Sequence, residues 1–242
     1  MQGLPDHHQY RNNTPELLDA DNIPYSEMHL NLAELDTINT LLGGHNITKK
    51  GLQHFLNKYK DWDRPIVIAE IGCGGGDNLS AIRKVLLESG IKYRLIGIDI
   101  KPECTMYAAR KVRDLDTVWI CCDYRQTKWP DDIKPDVIFS SLFCHHFTNA
   151  QLNGQLIWLG TNSKLGFFIN DLQRHPVAYY SIKLLTSIFS ASKYVKNDGP
   201  LSVKRAFTKP EWKILLQKAG IPAYLLSHEW AFRYLVCVNH DE

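Results

Sequence analysis

The stretch "AEIGCGGGDN", residues 69–78, decides how the rest of the sequence is interpreted. It holds four glycines and continues the apolar run "PIVIAEI", residues 65–71. Ordering a glycine costs more conformational entropy than ordering any other residue, so a cluster of glycines needs a physical reason. After a buried strand, such a loop typically brings the backbone close to a phosphate, a dinucleotide or another nucleoside-bearing ligand.

The spacing of the glycines argues against the first two ligands. A dinucleotide loop of the form GxGxxG would need a third glycine at the position of Asp77. The chain instead has Gly72, Gly74 and Gly76. They follow Glu70, whose carboxylate would repel a pyrophosphate and favour a cationic ligand. A Walker phosphate loop is excluded because no Gly-Lys-Ser/Thr sequence follows.

Strand-like and helix-like runs alternate after residue 64. Short apolar runs predict strands at residues 65–71, 93–100, 117–123, 135–143 and 165–171. Helix-periodic runs at residues 78–90, 102–112 and 149–162 lie between them. This alternation predicts a parallel, doubly wound α/β sheet.

The segments on either side of this alternation read mostly as helices. We expect a frayed first dozen residues, then helices at residues 14–22, 25–44 and 49–60, the first capped by Thr14. After the fifth strand, the pattern predicts one helix at 178–195, a loop at 197–208 and a helix at 209–220. The last helix has a capping box, Thr208 with Glu211, and residues 222–239 read as two strands of a hairpin.

Two acidic residues end the second and third predicted strands. Asp99 lies 29 residues after Glu70, where a carboxylate can accept hydrogen bonds from both hydroxyls of a ribose. Asp123 ends the next strand and could accept a hydrogen bond from an adenine amino group. Together with the glycine loop, these acids indicate a nucleoside-bearing, positively charged ligand.

With these motifs in this order, the chain resembles the class I S-adenosylmethionine-dependent methyltransferases. The motifs are "EIGCGGG", "GIDI", "CCDY" and "DVIFSSLFCHHF", each at the end of a predicted strand between residues 65 and 175. The resemblance implies a Rossmann-like sheet of seven strands and S-adenosylmethionine as cofactor, with S-adenosylhomocysteine as product. It also implies an N-terminal helical cap at 1–64 and a methyltransferase domain at 65–242, with a helical lid inserted after the fifth strand at about 175–207.

The resemblance assigns residues as well as a fold. Residues carried over as cofactor-binding are Glu70, Ile71, Gly72, Cys73, Gly74, Gly76, Asn78, Asp99, Ile100, Asp123, Tyr124, Ser141 and Leu142. A nicotinamide-dependent enzyme stays open as an alternative to this family. Enzymes that methylate nucleobase amino groups typically carry an [ND]PP[YF] tetrad, whereas residues 140–143 read "SSLF", which argues against that activity.

Within the family, "SSLFCHHF" is similar to ubiquinone/menaquinone-type and natural-product methyltransferases. The N-terminal helices and the insert resemble bacterial relatives found beside polyketide or phenolic-lipid genes. These likenesses imply a small, hydroxylated, hydrophobic acceptor of the phenol, quinone or polyketide type, methylated on oxygen. Methylation on carbon of a quinone-type ring and a non-catalytic cofactor-binding module are the alternatives.

Methyl transfer to a hydroxyl needs a base, since an unperturbed phenol has a pKa of about 10. His145 and His146 follow the fourth strand and are the candidates, although both could simply pack around the cofactor. Asp171 ends the fifth strand and could orient a histidine or cap the next segment. Arg174, His175, Tyr179 and Arg205 are candidates for binding the acceptor, with ion pairs to the lid or hydrophobic packing as the alternatives. We expect no metal.

The composition of the chain limits which binding partners we expect. The 242 residues carry a net charge of +2, too small to suggest general nucleic-acid binding, and no run reaches transmembrane length. Residues 1–48 hold seven acids against one base, whereas residues 174–213 hold eight Lys or Arg against two acids. The two segments either face each other or are unrelated solvated faces. A cytoplasmic enzyme with reduced cysteines follows, with a carrier protein as an alternative partner and no prediction of oligomeric state.

Overall fold

The computed structural model describes residues 10–21, 23–59 and 63–240. Its strands are β1 Ile66–Ile71, β2 Tyr93–Asp99, β3 Thr117–Cys121, β4 Val137–Ser141, β5 Gly166–Leu172, β6 Leu225–Glu229 and β7 Arg233–Asn239. They form one seven-stranded sheet in the order β3-β2-β1-β4-β5-β7-β6. The first five are parallel, and β7 runs antiparallel to both β5 and β6. The predicted α/β sheet of class I methyltransferases is therefore confirmed.

Helices cover both faces of the sheet. They are α1 Tyr25–Leu41, α2 Gly44–Lys58, α3 Asp77–Glu88, α4 Pro102–Lys111, α5 Asn149–Asn162, α6 Pro176–Phe189, α7 Lys193–Arg205 and α8 Lys209–Lys218. The strands β1 and β4 are buried at every position, as expected for parallel strands covered on both sides. The capping box of Thr208 and Glu211 begins α8 as predicted.

Helix α2 belongs to the core of the sheet. Its Leu52 and Phe55 are fully buried in the cluster formed by β1, β4 and β5. The helix lies so close that a Cβ atom on Gly51 would overlap the ring of Phe168. The predicted division into an N-terminal cap (1–64) and a methyltransferase domain (65–242) stays a prediction. In the structure, α2 packs against strands that follow residue 64.

The insert after β5 differs from its prediction. The predicted helix 178–195 is two helices, and the predicted loop 197–208 is mostly α7. Glu34 on α1 causes the break, because its carboxylate accepts hydrogen bonds from the backbone N–H groups of Ala191 (2.7 Å) and Ser192 (3.2 Å). Ser192 is the N-cap of α7, so its N–H is one of the donors that the helix leaves without a partner, and Ala191 directly precedes it. Although α7 contains Pro200, burial of its inner face against the rest of the fold keeps it helical.

The N-terminal segment also differs from its prediction. The helix expected at 14–22 is a single 3-10 turn, Leu17–Asp19, and Asp198 on α7 accepts hydrogen bonds from the backbone of Leu17 and Leu18. Residues 1–9 of the segment expected to be frayed lie outside the described residues, but Asn12 donates a backbone hydrogen bond to Lys204. Hydrogen bonds from the N-terminal segment to α7 are therefore present where the sequence predicts a helix at residues 14–22.

The acidic N-terminal segment and the basic insert lie against each other. Glu27 on α1 contacts Lys193 on α7 at 3.2 Å. Arg205, at the end of α7, lies 3.7 Å from Glu16. The uneven charge of the sequence therefore corresponds to a contact between these segments. Among the described helices, none combines the length and the apolar character needed to cross a membrane.

Candidate active site

Two adjoining cavities open at the carboxyl ends of the parallel strands, where ligands bind in doubly wound sheets. The loop cavity, of about 400 Å³, lies between the glycine loop and α1. The insert cavity, of about 710 Å³, lies between α1, the insert and the β6–β7 hairpin. Five residues line both cavities: Leu18, Asn31, Leu35, Leu142 and His146. A group carried in one cavity can therefore reach a molecule held in the other.

The glycine loop forms one wall of the loop cavity. Gly72 has φ +67°, and a Cβ atom there would overlap the ring of Phe143. Gly74 has φ +49°, and a Cβ atom there would have only the side chain of Leu32 near it, at 3.7 Å. The bare backbone at Gly72 thus admits an aromatic ring, and the bare backbone at Gly74 faces the space for a ligand.

Asp99 at the end of β2 lies where its position in the sequence predicts. Its carboxylate accepts hydrogen bonds from the backbone N–H of Gly74 (2.9 Å) and of Lys101 (2.9 Å). Burial raises the pKa of Asp99, although these two hydrogen bonds oppose the shift. The side chain is thus fixed at the wall of the loop cavity, where it can accept hydrogen bonds from ligand hydroxyls.

Glu70 lies beneath the loop and does not line the cavity. It is 1% exposed, its Oε1 accepts a hydrogen bond from Asn78 (3.2 Å), and its Oε2 has no partner among the described residues. Burial, and next the charge of Asp77, hold its pKa well above the usual range. Several other predicted cofactor residues also lie behind the cavity wall: Ile71, Cys73, Gly76, Asn78 and Ser141.

At the end of β3, Asp123 lines the loop cavity but is paired with Arg125, whose Nε lies 3.0 Å from Oδ1. The adjacent Tyr124 packs edge-on against Trp158 at 4.9 Å between ring centroids. Of the predicted cofactor residues, seven line this cavity: Gly72, Gly74, Asp99, Ile100, Asp123, Tyr124 and Leu142.

Helix α1 contributes cavity residues that were not assigned from the sequence. Met28, Leu32 and Leu35 line the loop cavity. Their helical spacing was visible in the sequence, but it predicts a packed face equally well. Asn31 lines both cavities, is 1% exposed, and has no hydrogen-bond partner for either amide atom among the described residues. The amide is therefore a buried polar group without a partner at the boundary of the two cavities.

Backbone strain marks the point where the cavities meet. Leu142, directly after β4, has φ +53°, a left-handed conformation that a leucine rarely adopts. Its backbone N–H donates to the carbonyl of Asn170 on β5 at 2.8 Å. The strain turns the chain sharply into the 3-10 turn Cys144–His146, which carries the two histidines.

The two histidines face the insert cavity with their Nδ1 atoms held by carboxylates. Nδ1 of His145 lies 2.7 Å from Oδ1 of Asp171, and both side chains are shielded from solvent. Nδ1 of His146 lies 2.9 Å from Oδ1 of Asp19 and is more exposed. Burial alone would raise the pKa of Asp171, but the charge and hydrogen bond of His145 lower it.

Glu16 lies opposite both histidines. Its Oε1 lies 3.7 Å from Nε2 of His145, and its Oε2 lies 3.8 Å from Nε2 of His146. Burial raises the pKa of Glu16 to about 7. Asp19 is also affected by burial, but the hydrogen bond and charge of His146 outweigh it and lower the pKa to about 2. Glu16 was not predicted from the sequence because it comes from a segment 129 residues before His145.

Arginines hold the histidine turn in place. Arg205 donates to the backbone carbonyls of His145 (3.1 Å) and His146 (2.7 Å). Arg11 donates to the carbonyls of His145 (3.0 Å) and Phe147 (2.6 Å), and its guanidinium lies 3.9 Å from the ring centroid of Phe207. Both side chains satisfy carbonyls that have no helical partner.

The predicted acceptor-binding residues do not line the insert cavity. Arg174 is 5% exposed and donates to Glu211 (2.7 Å) on α8, which lies beyond the predicted lid. His175 caps α6 and stacks on Phe232, and Lys204 lies over the ring of Tyr179. Arg205 acts on the histidine turn, as described above. These four side chains therefore contact residues of the protein and do not line the insert cavity.

Three side chains in the insert cavity have the donor atoms of a metal site. Atoms of Glu16, His145 and His146 lie within 4.8 Å of one another. A carboxylate behind each histidine is also typical of metal ligands. Arg205 lies 3.7 Å from Glu16, however, so a permanent positive charge already balances this carboxylate. The expectation of no metal therefore stays a prediction.

The sequence of residues 68–156 matches the methyltransferase domain family. Residues 68–156 carry a methyltransferase domain. The recognition made from the glycine loop and the strand-end acids is thereby confirmed. No curated protein sequence matches the chain.

Several solved methyltransferases share the fold of this chain. The plantazolicin methyltransferase BpumL, in complex with SAH, is 17% identical with a TM-score of 0.66, over 90% of this chain and 96% of that one. The CMeT domain of the citrinin polyketide synthase is 12% identical with a TM-score of 0.60, over 79% and 51%. A putative O-methyltransferase from Nostoc punctiforme is 11% identical with a TM-score of 0.59, over 86% and 60%.

Proposed function

We propose that this methyltransferase transfers a methyl group from S-adenosylmethionine to the oxygen of a small, hydrophobic, hydroxylated molecule held in the insert cavity. One observation carries the proposal: His145, held by Asp171 behind it, lies in the wall of the largely apolar insert cavity, which adjoins the loop cavity. Nucleic acid is not the expected acceptor, and a cytoplasmic location stays a prediction.

The loop cavity has the groups that S-adenosylmethionine needs. Asp99 offers carboxylate oxygens for a ribose, and the bare backbone at Gly74 allows close approach. Asn31 has an amide without a partner among the described residues, and Tyr124 lines the cavity. When bound, the donor supplies a methyl group on a positively charged sulfur, which is its own leaving group. The related structure solved with SAH supports this choice of ligand.

His145 is positioned to remove the proton of an acceptor hydroxyl. Asp171 holds Nδ1–H of the ring, which leaves Nε2 as the acceptor of a proton on the cavity side. The lowered pKa of Asp171 keeps its carboxylate ionised, so that it stabilises the imidazolium that forms. Such a base contributes roughly 10²–10⁴-fold to a rate. His146 lines both cavities and stands beside the point of transfer.

Alignment supplies the rest of the catalysis. Leu142 and the residues that line both cavities form the boundary across which the acceptor must meet the methyl group. The apolar lining excludes water and binds the hydrophobic part of the acceptor. Because displacement at a methyl carbon depends on an in-line approach, fixed walls at this boundary raise the rate by orienting the two reactants.

Carbon methylation of a quinone-type ring is the nearest alternative. The same base would ionise a ring hydroxyl and make the adjacent carbon nucleophilic, and the likeness to a CMeT domain is compatible with it. A non-catalytic binding module is the other alternative. The buried His–Asp pair speaks against it, since burying a titratable pair without a task costs stability.

The test uses S-adenosylmethionine with a labelled methyl group and a panel of alkylphenols, hydroquinones and hydroxy-aryl acids. We expect transfer of label to oxygen, and a loss of roughly 10²-fold or more in His145→Gln. His54→Gln is the matched control, because His54 lies on α2, forms a hydrogen bond with Asn239 and lines neither cavity. Label on carbon would support the nearest alternative, and binding of S-adenosylhomocysteine without transfer would support the module.

A further inference from the structure

Arg233 is a buried cation in the wall of the insert cavity. It is the first residue of β7, is 2% exposed, and lines this cavity without lining the loop cavity. Its Nη2 donates to Oδ1 of Asn39 on α1 at 2.8 Å. Its Nε and Nη1 have no hydrogen-bond partner among the described residues. Two donor nitrogens of this buried guanidinium are thus left without a partner at the edge of the cavity.

None of the acids that line the cavity forms an ion pair with Arg233 among the described residues, and each has other hydrogen-bond or ion-pair partners. Asp198 accepts backbone hydrogen bonds from Leu17 and Leu18 at 2.9 and 3.0 Å. Glu229 forms an ion pair with Lys50 at 2.7 Å. Glu16 accepts a hydrogen bond from Ser202 at 2.8 Å.

Asp171 is the carboxylate that acts electrostatically on Arg233, raising its pKa, but its oxygens are already used. Oδ1 of Asp171 bonds both His145 (2.7 Å) and the backbone N–H of Leu172 (2.7 Å). Burial outweighs this charge and lowers the pKa of Arg233 to about 10, so the group remains positively charged at neutral pH. Asn39, its hydrogen-bond partner, is a neutral amide. The guanidinium of Arg233 therefore forms no ion pair with a carboxylate among the described residues.

A buried charge without a partner is costly, and proteins keep such groups mainly where a ligand supplies the partner. The guanidinium fork matches the oxygens of a carboxylate better than any other common group. The rest of the lining is largely apolar, including Ile38, Leu42, Ile182, Leu185 and Val203. An occupant that fits both features combines a hydrophobic body with one anionic end.

We propose that Arg233 binds a carboxylate of the acceptor, so that the substrate of this methyltransferase is a hydrophobic acid. This inference rests on the proposed function, since it names the substrate class of the same cavity. Because Arg233 lines only the insert cavity, the carboxylate it holds is distinct from the atom that receives the methyl group. Arg233 binds the carboxylate at one end of the acceptor. The hydroxyl of the acceptor then lies at the boundary between the two cavities, near Leu142 and His146.

The test measures binding by titration calorimetry, in the presence of S-adenosylhomocysteine, of two matched probes: an alkylated hydroxybenzoic acid and its methyl ester. We expect the acid to bind wild-type protein at least tenfold more tightly than the ester. In Arg233→Gln the preference should fall to about one, with the affinity for the ester unchanged. Arg233→Lys should retain part of the preference, since it keeps the charge without the fork.

A second variant guards against misfolding of Arg233→Gln. Asn39→Asp keeps the arginine but places a carboxylate 2.8 Å from its Nη2, which should remove the preference by internal neutralisation. Equal binding of acid and ester to wild type, a preference that survives both variants, or no binding of either probe would overturn the proposal. If the protein prefers the acid but transfers no methyl group, Arg233 still binds a carboxylate, and the proposed function is overturned instead.

Discussion

Nδ1 of His145 lies 2.7 Å from Oδ1 of Asp171, and both side chains are at most 3% exposed. His145 comes from the turn after β4, and Asp171 is the penultimate residue of β5. The two neighbouring parallel strands bring them together at the edge of the sheet where the cavities open. The parallel strands of the sheet thus position the base proposed for the reaction and the carboxylate that holds it.

Asp171→Asn should lower kcat by roughly 10²-fold with little change in KM. The amide cannot stabilise the imidazolium, and it can hold the ring in the wrong tautomer, while the acceptor makes no direct contact with this residue. Steady-state kinetics with the best acceptor of the panel measures both constants. A kcat within twofold of the wild-type value would remove His145 as the base. An increase in KM alone would make the pair a part of the binding wall.

Glu16→Gln should make the protein relatively more stable as the pH rises. Burial raises the pKa of Glu16 to about 7 from its usual 4.5, so the folded state binds this proton more tightly than the unfolded state. Its contribution to stability is complete below pH 4.5 and is lost as the pH rises to about 7. The free energy of unfolding of the variant, minus that of wild type, should therefore increase by up to about 3 kcal/mol from pH 4 to pH 8.

Urea unfolding at several pH values measures this difference, and the comparison cancels groups common to both proteins. Asp19 is one of these, because its lowered pKa makes it a source of stability that is lost only as the pH falls below its usual 3.8 towards 2. A difference that does not vary with pH would show that Glu16 has an ordinary pKa.

Gly72→Ala should impair both stability and cofactor binding, whereas Gly90→Ala should impair stability alone. Both glycines have φ +67°, so each alanine incurs the left-handed penalty of roughly 1–2 kcal/mol. Only at Gly72 would the new Cβ atom overlap the ring of Phe143, while Gly90 has nothing within 4 Å. Phe143 lines the loop cavity, so its displacement changes the shape of the site.

Calorimetric titration with S-adenosylhomocysteine separates the two glycines. We expect an affinity at least tenfold weaker in Gly72→Ala and an unchanged affinity in Gly90→Ala. Equal affinities in the two variants would mean that the loop cavity does not hold the nucleoside, whatever the effect of each change on thermal stability.

Chelation should leave the activity unchanged. Glu16, His145 and His146 could serve as metal ligands, but Arg205 lies 3.7 Å from Glu16 and 3.6 Å from Asp19, where its positive charge disfavours a second cation. Protein treated with EDTA and then desalted should retain activity within twofold. A loss that Mg²⁺, Mn²⁺ or Zn²⁺ restores would instead assign a metal to this cluster.

The cofactor half of the site could be predicted from local sequence. Asp99 ends β2 and Asp123 follows β3 by two residues, and parallel strands place their carboxyl ends along one edge. The direction of each side chain is less predictable. Glu70 is the last but one residue of β1 and points beneath the loop, because successive residues of a strand face opposite sides.

The acceptor half depends on contacts between distant segments. Glu16 meets His145 because Arg205 and Asp198 hold the N-terminal segment against α7, and no local pattern in the sequence shows this. The second helix of the insert was missed for a similar reason, since Gly199 and Pro200 indicate a loop until the burial of Val203 is known. Arg233 reads as an ordinary charged residue at a strand end, and only its burial reveals its free donors.

A single-turnover experiment tests the central claim most directly. Excess protein is mixed with S-adenosylmethionine carrying a deuterated methyl group and with a hydrophobic hydroxy-aryl acid, and the quenched product is analysed by mass spectrometry and NMR. We predict one deuterated methyl group on the hydroxyl oxygen in wild type, and a rate at least roughly 10²-fold lower in His145→Gln. Transfer at an undiminished rate in that variant, or no transfer to any hydroxylated acceptor, would contradict the account.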